Sequence, residues 1–569
     1  MRGMQIHFLG GATTVTGSQF LITTERAKVL VDCGMFQGSP NESIRNRIPF
    51  DFTPSELDAV VLTHAHLDHC GLLPLLVKSG YTGSIHATAG TVELATLVLL
   101  DSGHLHEEFA KREARWEKRH PDLVAADDRA EAEAYQAAVD LAAAGGSEEA
   151  VAETADAPKA AVETATAIAE SMTAPTSPPS EAGEHVETSI EPEPPHVWPT
   201  DPEADLRSQP PAIDIDLDLP LYTVKDAERA LEHLRPIDYD QEREVAPGVW
   251  ATFLDAGHIL GSAIIRLRVQ ERDGGEELVI VCSGDLGRPG TPIIRDPTYL
   301  AAADYVLVES TYGGREHEPQ DEAIRILAET IRLVADAGGV LLVPSFAIGR
   351  TQEVVWELDR LIDRGEIPAL PLYLDSPMAS KATEVYRRHS DYFDDETARL
   401  LREGETPLDY PAQVITNDVK DSQAIERAPR PYMIVASNGM LTGGRVVGHL
   451  RHLIDDPNAT ILFVGYQGEG TLGSHLQAGV RTVRLDGQPR DVRCKVRSIS
   501  GFSAHADESE LLGWLGRFVD GKQPGDAGYP RRVFLVHGDP DAQIALEPKV
   551  RELGLATHIP HWHERVTLE

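Results

Sequence analysis

Three histidines and an aspartate fall within six residues at Thr63-His64-Ala65-His66-Leu67-Asp68-His69. Imidazole nitrogen and carboxylate oxygen are donors that zinc takes at about 2.0–2.2 Å. In a loop, His64 and His66 converge on one ion while Asp68 and His69 turn toward a second. Six residues cannot fill two coordination shells, so further donors must come from elsewhere in the chain. His258 in Asp255-Ala256-Gly257-His258, Asp285 in Cys282-Ser283-Gly284-Asp285 and His537 in Val536-His537-Gly538 share one context. Each follows an apolar stretch and has glycine nearby, which suits a ligand on a sharp turn at a sheet edge. Any one of them alone is as readily an ordinary histidine or aspartate. Together they complete two shells around a shared carboxylate. The chemistry of such a pair is hydrolysis, because a metal-bound water ionises near neutral pH.

The elements that position these residues are legible around them. Strands are expected at Gln5–Leu9, Gln19–Thr23, Lys28–Asp32 and Leu57–Leu62, the last delivering the histidine cluster. Helices are expected at Gly71–Ser79 and Thr91–Ser102. After Leu221 the apolar runs Val249–Asp255, Ala263–Val269, Leu278–Gly284 and Tyr305–Glu309 read as strands. From Glu318 to about 480, longer helices (Ala323–Ala337, Thr351–Arg364) alternate with apolar strands (Val340–Pro344, Leu370–Leu374, Tyr432–Ala436, Thr460–Val464), the pattern of a parallel sheet with helices on both faces. Short motifs follow Arg497, and a last strand, Arg532–Val536, leads to His537.

Composition sets limits on this reading. At 569 residues with 41% hydrophobic content, two folded units plus extra material are expected. No apolar run is long enough to span a bilayer, and the N-terminal residues carry no signal-peptide core, so neither membrane nor export is expected. Four scattered cysteines (Cys33, Cys70, Cys282, Cys494) fit a reduced, cytoplasmic protein. The net charge is −39, of which −20 lies in residues 121–220, leaving −19 for the rest. Residues 121–170 are rich in Ala and Glu and open to partial helix. Residues 171–220 hold eleven prolines, against any packed core. Residues 115–218 therefore read as an acidic low-complexity insertion, largely disordered, and a candidate surface for another protein. The acidity elsewhere suits a salt-loving source, and any polyanion must be captured by a local cleft rather than by long-range attraction.

The motifs carry a resemblance. Thr63–His69 resembles the HxHxDH signature of the metallo-β-lactamase fold, and Val31-Asp32-Cys33-Gly34, Gly257–Ser262 and Ser283–Leu286 resemble its other motifs. Glu309-Ser310-Thr311-Tyr312-Gly313, Ser503-Ala504-His505-Ala506-Asp507 and Val536-His537-Gly538 are similar to the three motifs of β-CASP nucleases, in the same order. The resemblance implies an α/β fold: a metallo-β-lactamase αββα sandwich in parts 1–114, 219–314 and 497–569, with a β-CASP domain at 315–496. It implies two Zn2+ per chain, one on His64, His66 and His258, the other on Asp68, His69 and His537, bridged by Asp285. Asp32 would order the histidine loop, and His505 paired with Glu309 would be the general acid. Asp68 counts with the catalytic residues. Histidine at position 537 goes with RNA in that family, so the implied activity is RNA phosphodiester hydrolysis, endonucleolytic or 5′-to-3′ exonucleolytic. RNA contacts are expected at Ser376 and at Ser437, Asn438, Gly439 and Met440. The other strand-end loops at Pro344, Gly465 and nearby read as ordinary turns or phosphate cradles. The basic run Arg481, Arg484, Arg490, Arg493, Lys495 and Arg497 reads either as a backbone-binding stripe or as a solvated face paired with surplus carboxylates. His104, His106, His449, His475, His561 and His563 have no supporting motif. Rival readings are a hydrolase of small esters or thioesters, a DNA-directed β-CASP nuclease, and a non-catalytic RNA-binding subunit. A homodimer stays open, though not one built on a long C-terminal appendage.

Overall fold

The computed structural model describes residues 3–568, apart from 39, 122, 144–216, 218, 273–274, 417, 469 and 486. Two seven-stranded sheets face each other. The first runs, edge to edge, Glu564–Thr567, Gln5–Gly10, Gln19–Thr23, Lys28–Val31, Ala59–Val61, Ser84–Ala87, Leu234–Pro236. The second is an antiparallel meander of Arg243–Ala246, Val249–Asp255, Ala263–Gln270 and Glu277–Cys282, extended in parallel by Tyr305–Glu309, Arg532–Val536 and Thr557–His558.

Side-chain alternation explains the layering. Ile6, Phe8, Ile22, Val29 and Val61 of the first sheet pack on Phe253, Ile265, Leu267, Leu307 and Phe534 of the second. The opposite face of the first sheet (Leu30, Val60, Ile85) is covered by Leu73, Leu76, Leu94 and Leu99 from helices Leu73–Lys78 and Ala89–Glu117. The outer face of the second (Val281, Val306, Val308, Leu535) is covered by helices Glu508–Val519 and Pro540–Glu552. The order of layers is α-β-β-α, as the sequence motifs imply. Full burial of Leu, Ile and Phe side chains stabilises at about 1.5–3 kcal/mol each, so the inter-sheet core is the main source of rigidity under the site.

After Glu309 the chain builds a third sheet, entirely parallel, in the order Gln413–Ile415, Leu372–Asp375, Tyr432–Ala436, Val340–Pro344, Ala459–Phe463, Lys495–Ser498. Its central strands are buried throughout because helices cover both faces. The fold is thus an α/β sandwich with an inserted parallel α/β unit. Among the described residues no helix is long and apolar enough to cross a membrane.

Several elements differ from the sequence-based expectation. The helix expected at Thr91–Ser102 runs from Ala89 to Glu117, across position 115, capped by the Thr88 hydroxyl on the Thr91 amide. Within the acidic insertion Val124–Ala143 is helical, and buried Tyr135 marks its packed face. The expected disorder of residues 171–220 falls almost wholly outside the described residues.

Candidate metal centre and cleft

The strand Ala59–Val61 ends at Leu62, and the loop Thr63–His66 emerges between the two sheets. Asp32, one residue past Lys28–Val31, adopts a left-handed φ of 57° that turns its carboxylate under this loop. It accepts from the Thr63 amide at 2.8 Å and lies 2.7 Å from His69 Nδ1. Asp32 therefore takes the Nδ1 side of His69 and leaves Nε2 turned toward the interior. Gly284, at φ 56°, lies where a Cβ would meet the Thr63 side chain at 2.8 Å, so only glycine permits the turn that presents Asp285.

Two clusters of donors result. His66 Nδ1 stands 3.1 Å from both His64 Nε2 and His258 Nε2, while Asp285 Oδ2 is 3.4 Å from His64 Nε2 and 3.5 Å from His258 Nε2. On the other side His69 Nε2 is 3.2 Å from His537 Nε2 and 3.3 Å from Asp285 Oδ1, with Asp68 Oδ2 3.7 Å from His537. Asp285 thus faces one cluster with each oxygen, and its buried Oδ1 makes no hydrogen bond among the described residues. Donors on a tetrahedral ion with bonds of 2.0–2.1 Å stand about 3.3 Å apart. The observed separations match that edge, and ring protons alone cannot satisfy so many facing nitrogens. The residues fit a metal pair.

The electrostatics favour neutral ligands at the first cluster, whereas at the second, against the desolvation of its burial, His69 is held well above the ordinary imidazole range by Asp285 and Asp32. Burial, reinforced by neighbouring His69, holds His64 well below the ordinary imidazole range, and burial does the same to His258. Both stay neutral, as ligands must. Against the desolvation of its own burial, Asp285 is held well below the usual carboxylate range by His537, His69 and His64.

His505 lies beside the clusters, its ring 4.7 Å from that of His258. Its Nδ1 is 3.1 and 3.2 Å from the two oxygens of Glu309, a fully buried carboxylate at the end of Tyr305–Glu309. Glu309 also accepts the Leu286 amide at 2.7 Å, next to Asp285. Burial alone would lower the His505 pKa, but Glu309 lifts it to about 9. The loop bearing His505 is pinned by Glu318, which accepts the amides of Ser500 and Gly501 at 2.9 and 2.6 Å. His317 Nε2 meets the His505 carbonyl at 3.0 Å.

The inserted parallel α/β unit turns the carboxyl ends of its strands toward this centre. Phe346, after Val340–Pro344, places its ring 6.5 Å from that of His66. Gly439 packs on the Phe346 ring and amide, where a Cβ would stand at 3.1 Å. Ser376 caps the helix Pro377–Arg388, and the Ser437 hydroxyl reaches it at 3.0 Å. Asn438 accepts the Met440 amide at 2.7 Å. Ser376, Ser437, Asn438, Gly439 and Met440 are thus brought together beside Phe346.

Family models match in the same places: the metallo-β-lactamase superfamily at residues 12–134, the β-CASP domain at 351–476, and the Zn-dependent metallo-hydrolase RNA specificity domain at 489–560. The chain is 32% identical over 543 residues to Ribonuclease TTHA0252 of Thermus thermophilus, covering 95% of each chain. The chain belongs to the β-CASP metallo-β-lactamase family. It is 28% identical to the transcription termination factor FttA of Methanosarcina mazei, over 96% of this chain and 69% of that one. The homologous FttA of Methanocaldococcus jannaschii is 26% identical over 98% and 70%. Membership makes this a metal-binding hydrolase of the nuclease branch.

For this β-CASP chain, the seven expected metal donors and the His505–Glu309 pair lie together in space. The structure adds what the sequence did not reveal. Asp375, beneath Ser376, is fully buried and binds His449 Nε2 at 2.6 Å and Arg445 at 2.7 Å. His449, read as an ordinary histidine, holds the buried carboxylate beneath Ser376. Three of the basic run are tied to acids: Arg490 to Asp455 at 2.9 Å, Arg493 to Asp491 at 3.3 Å and Arg497 to Glu329 at 3.5 Å. For those three the paired-face reading is the better one.

Proposed function

We propose that the chain is a ribonuclease that binds two zinc ions and hydrolyses RNA phosphodiester bonds in RNA processing or decay. His64, His66 and His258 would hold one ion, Asp68, His69 and His537 the other, and Asp285, which faces both clusters, would serve both. When bound, the pair supplies an ionised water near neutral pH and neutralises the phosphoryl oxygens. The rest falls to the chain. Glu309 takes the Nδ1 side of His505, so Nε2 is the end left to donate a proton. That proton goes to the departing ribose oxygen, and Glu309 keeps the imidazolium charged until it is used. Ser376, Ser437, Asn438, Gly439 and Met440 position the phosphate backbone through hydroxyls and amides.

The His505–Glu309 pair beside the donor clusters is the observation that carries this reading. A hydrolase of activated small esters has less need of a dedicated acid for a poor leaving group. RNA is favoured over DNA by His537, by the match to an RNA specificity domain and by relatives named as a ribonuclease and as transcription termination factors. Four buried cysteines with no disulfide go with a reducing, cytoplasmic setting. The test is zinc-loaded protein with end-labelled RNA carrying a 5′-monophosphate or a 5′-hydroxyl. A ladder from both marks an endonuclease, and mononucleotides from the monophosphate alone mark an exonuclease. Cleavage that survives chelation, or DNA cut as well as RNA, overturns the proposal.

A further inference from the structure

Away from the central clusters, His7, Asp51 and His563 bring three donor atoms within 4.8 Å of one another. His7 lies on Gln5–Gly10 between Ile6 and Phe8, and since those two point into the inter-sheet core, alternation sends His7 to the opposite face. There its Nε2 is 3.5 Å from Asp51 Oδ2, and His563 Nδ1 is 3.3 Å from the same oxygen. His7 is 4% exposed, yet its Nε2 makes no hydrogen bond among the described residues. His563 is held at a left-handed φ of 63°, which few non-glycine residues adopt, by its amide on the Phe8 carbonyl at 2.7 Å. Backbone in an unfavoured region, aiming a ring at an unpartnered buried nitrogen, indicates a built site rather than a chance meeting.

We propose that His7, Asp51 and His563 form a third metal site, for zinc, distinct from the central pair. Two imidazoles and a carboxylate are a zinc donor set, and Asp51, being half exposed, leaves the fourth position open to water. The ion ties together three distant parts of the chain: the first strand, the loop after the turn Ile44–Arg47, and the last strand, Glu564–Thr567, which pairs with Gln5–Phe8. Arg565 is the competitor. Its guanidinium holds Asp51 at 2.7 Å and its Nε reaches His7 Nδ1 at 3.4 Å. For the ion to bind, His7 must carry its ring proton on Nδ1, so Arg565 must withdraw. It is more than half exposed and can swing into solvent.

The experiment separates this site from the central one. In the full chain, His64→Ala with His69→Ala impairs the central pair. Zinc content after dialysis, and melting temperature with and without added zinc, are then measured with His7→Ala or His563→Ala added. The expected result is that the double variant keeps one zinc and a zinc-dependent rise in melting temperature, and that either added change abolishes both. Arg565→Gln in the same background should tighten zinc binding several-fold. Loss of the third equivalent in the otherwise native chain, with central zinc retained, supports the site whatever the central pair catalyses. Zinc content and zinc-dependent melting unaffected by His7→Ala and His563→Ala overturn it.

Discussion

Asp32→Asn isolates one charge at the base of the metal centre. Asp32 is 1% exposed and each of its oxygens faces an N–H, the Thr63 amide at 2.8 Å on Oδ1 and His69 Nδ1 at 2.7 Å on Oδ2, with the hydroxyls of Thr63 at 2.9 and 3.0 Å and of Ser18 at 3.3 Å beside them. Asparagine tolerates the left-handed φ that Asp32 adopts, so the backbone is left undisturbed. Its amide nitrogen, however, must face a donor whichever way it is turned. At least one hydrogen bond to a charged acceptor is lost, about 1.5–3 kcal/mol. Because that bond fixes the tautomer and the direction of His69, the loss should appear as about 10- to 100-fold weaker binding of the ion on Asp68, His69 and His537. The assay is zinc titration against a competing chelator, with elemental analysis after dialysis, and a thermal melt to show that the fold persists. Asp32→Asn protein that holds zinc with native affinity would refute the claim that Asp32 orients His69.

Three further outcomes are expected. His505→Ala should keep its metal content and lose most turnover, about 10²-fold or more for a general acid; near-native RNA cleavage would remove His505 from that role. Asp285→Asn should lose activity together with metal, since an amide cannot offer an anionic oxygen to each cluster, and full zinc occupancy with full activity would contradict the bridge. Glu357 is 1% exposed with neither oxygen hydrogen-bonded among the described residues, and burial together with nearby Glu353 pushes its pKa from 4.5 up to about 8. A raised carboxyl pKa means that stability is highest below the unfolded value and falls as pH climbs toward the folded one. Stability should therefore drop by about 2 kcal/mol between pH 5 and pH 7 on account of this group. Glu357→Gln should remove that slope in denaturant melts, and an unchanged slope would show that Glu357 is not the cause.

What the sequence could convey depended on how local the cause was. Val249–Asp255, Tyr305–Glu309, Val340–Pro344, Tyr432–Ala436 and Arg532–Val536 are strands at the bounds their apolar runs indicate, because burial on both faces leaves an uninterrupted apolar signature. Helices Glu508–Val519 and Pro540–Glu552 stand where the sequence pattern after Arg497 reads only as short motifs. The local signal of the first is a capping box, Asp507 with Glu510, which overlaps the His505 motif. Leu234–Pro236 and Glu564–Thr567 are short and half exposed, and become strands only through neighbours far along the chain. His449 is of the same kind. Its partner, Asp375, is 74 residues away, and a lone histidine on a helix carries no mark of it.

In the proposed reaction the incoming oxygen is that of water, and His505 protonates the departing ribose oxygen. Cleavage of RNA in heavy-oxygen water tests this most directly. One heavy oxygen in the phosphate of one new end, with an unlabelled ribose hydroxyl on the other, is the predicted result. A cyclic phosphate carrying no heavy oxygen would mean that the ribose itself is the nucleophile, and would contradict it.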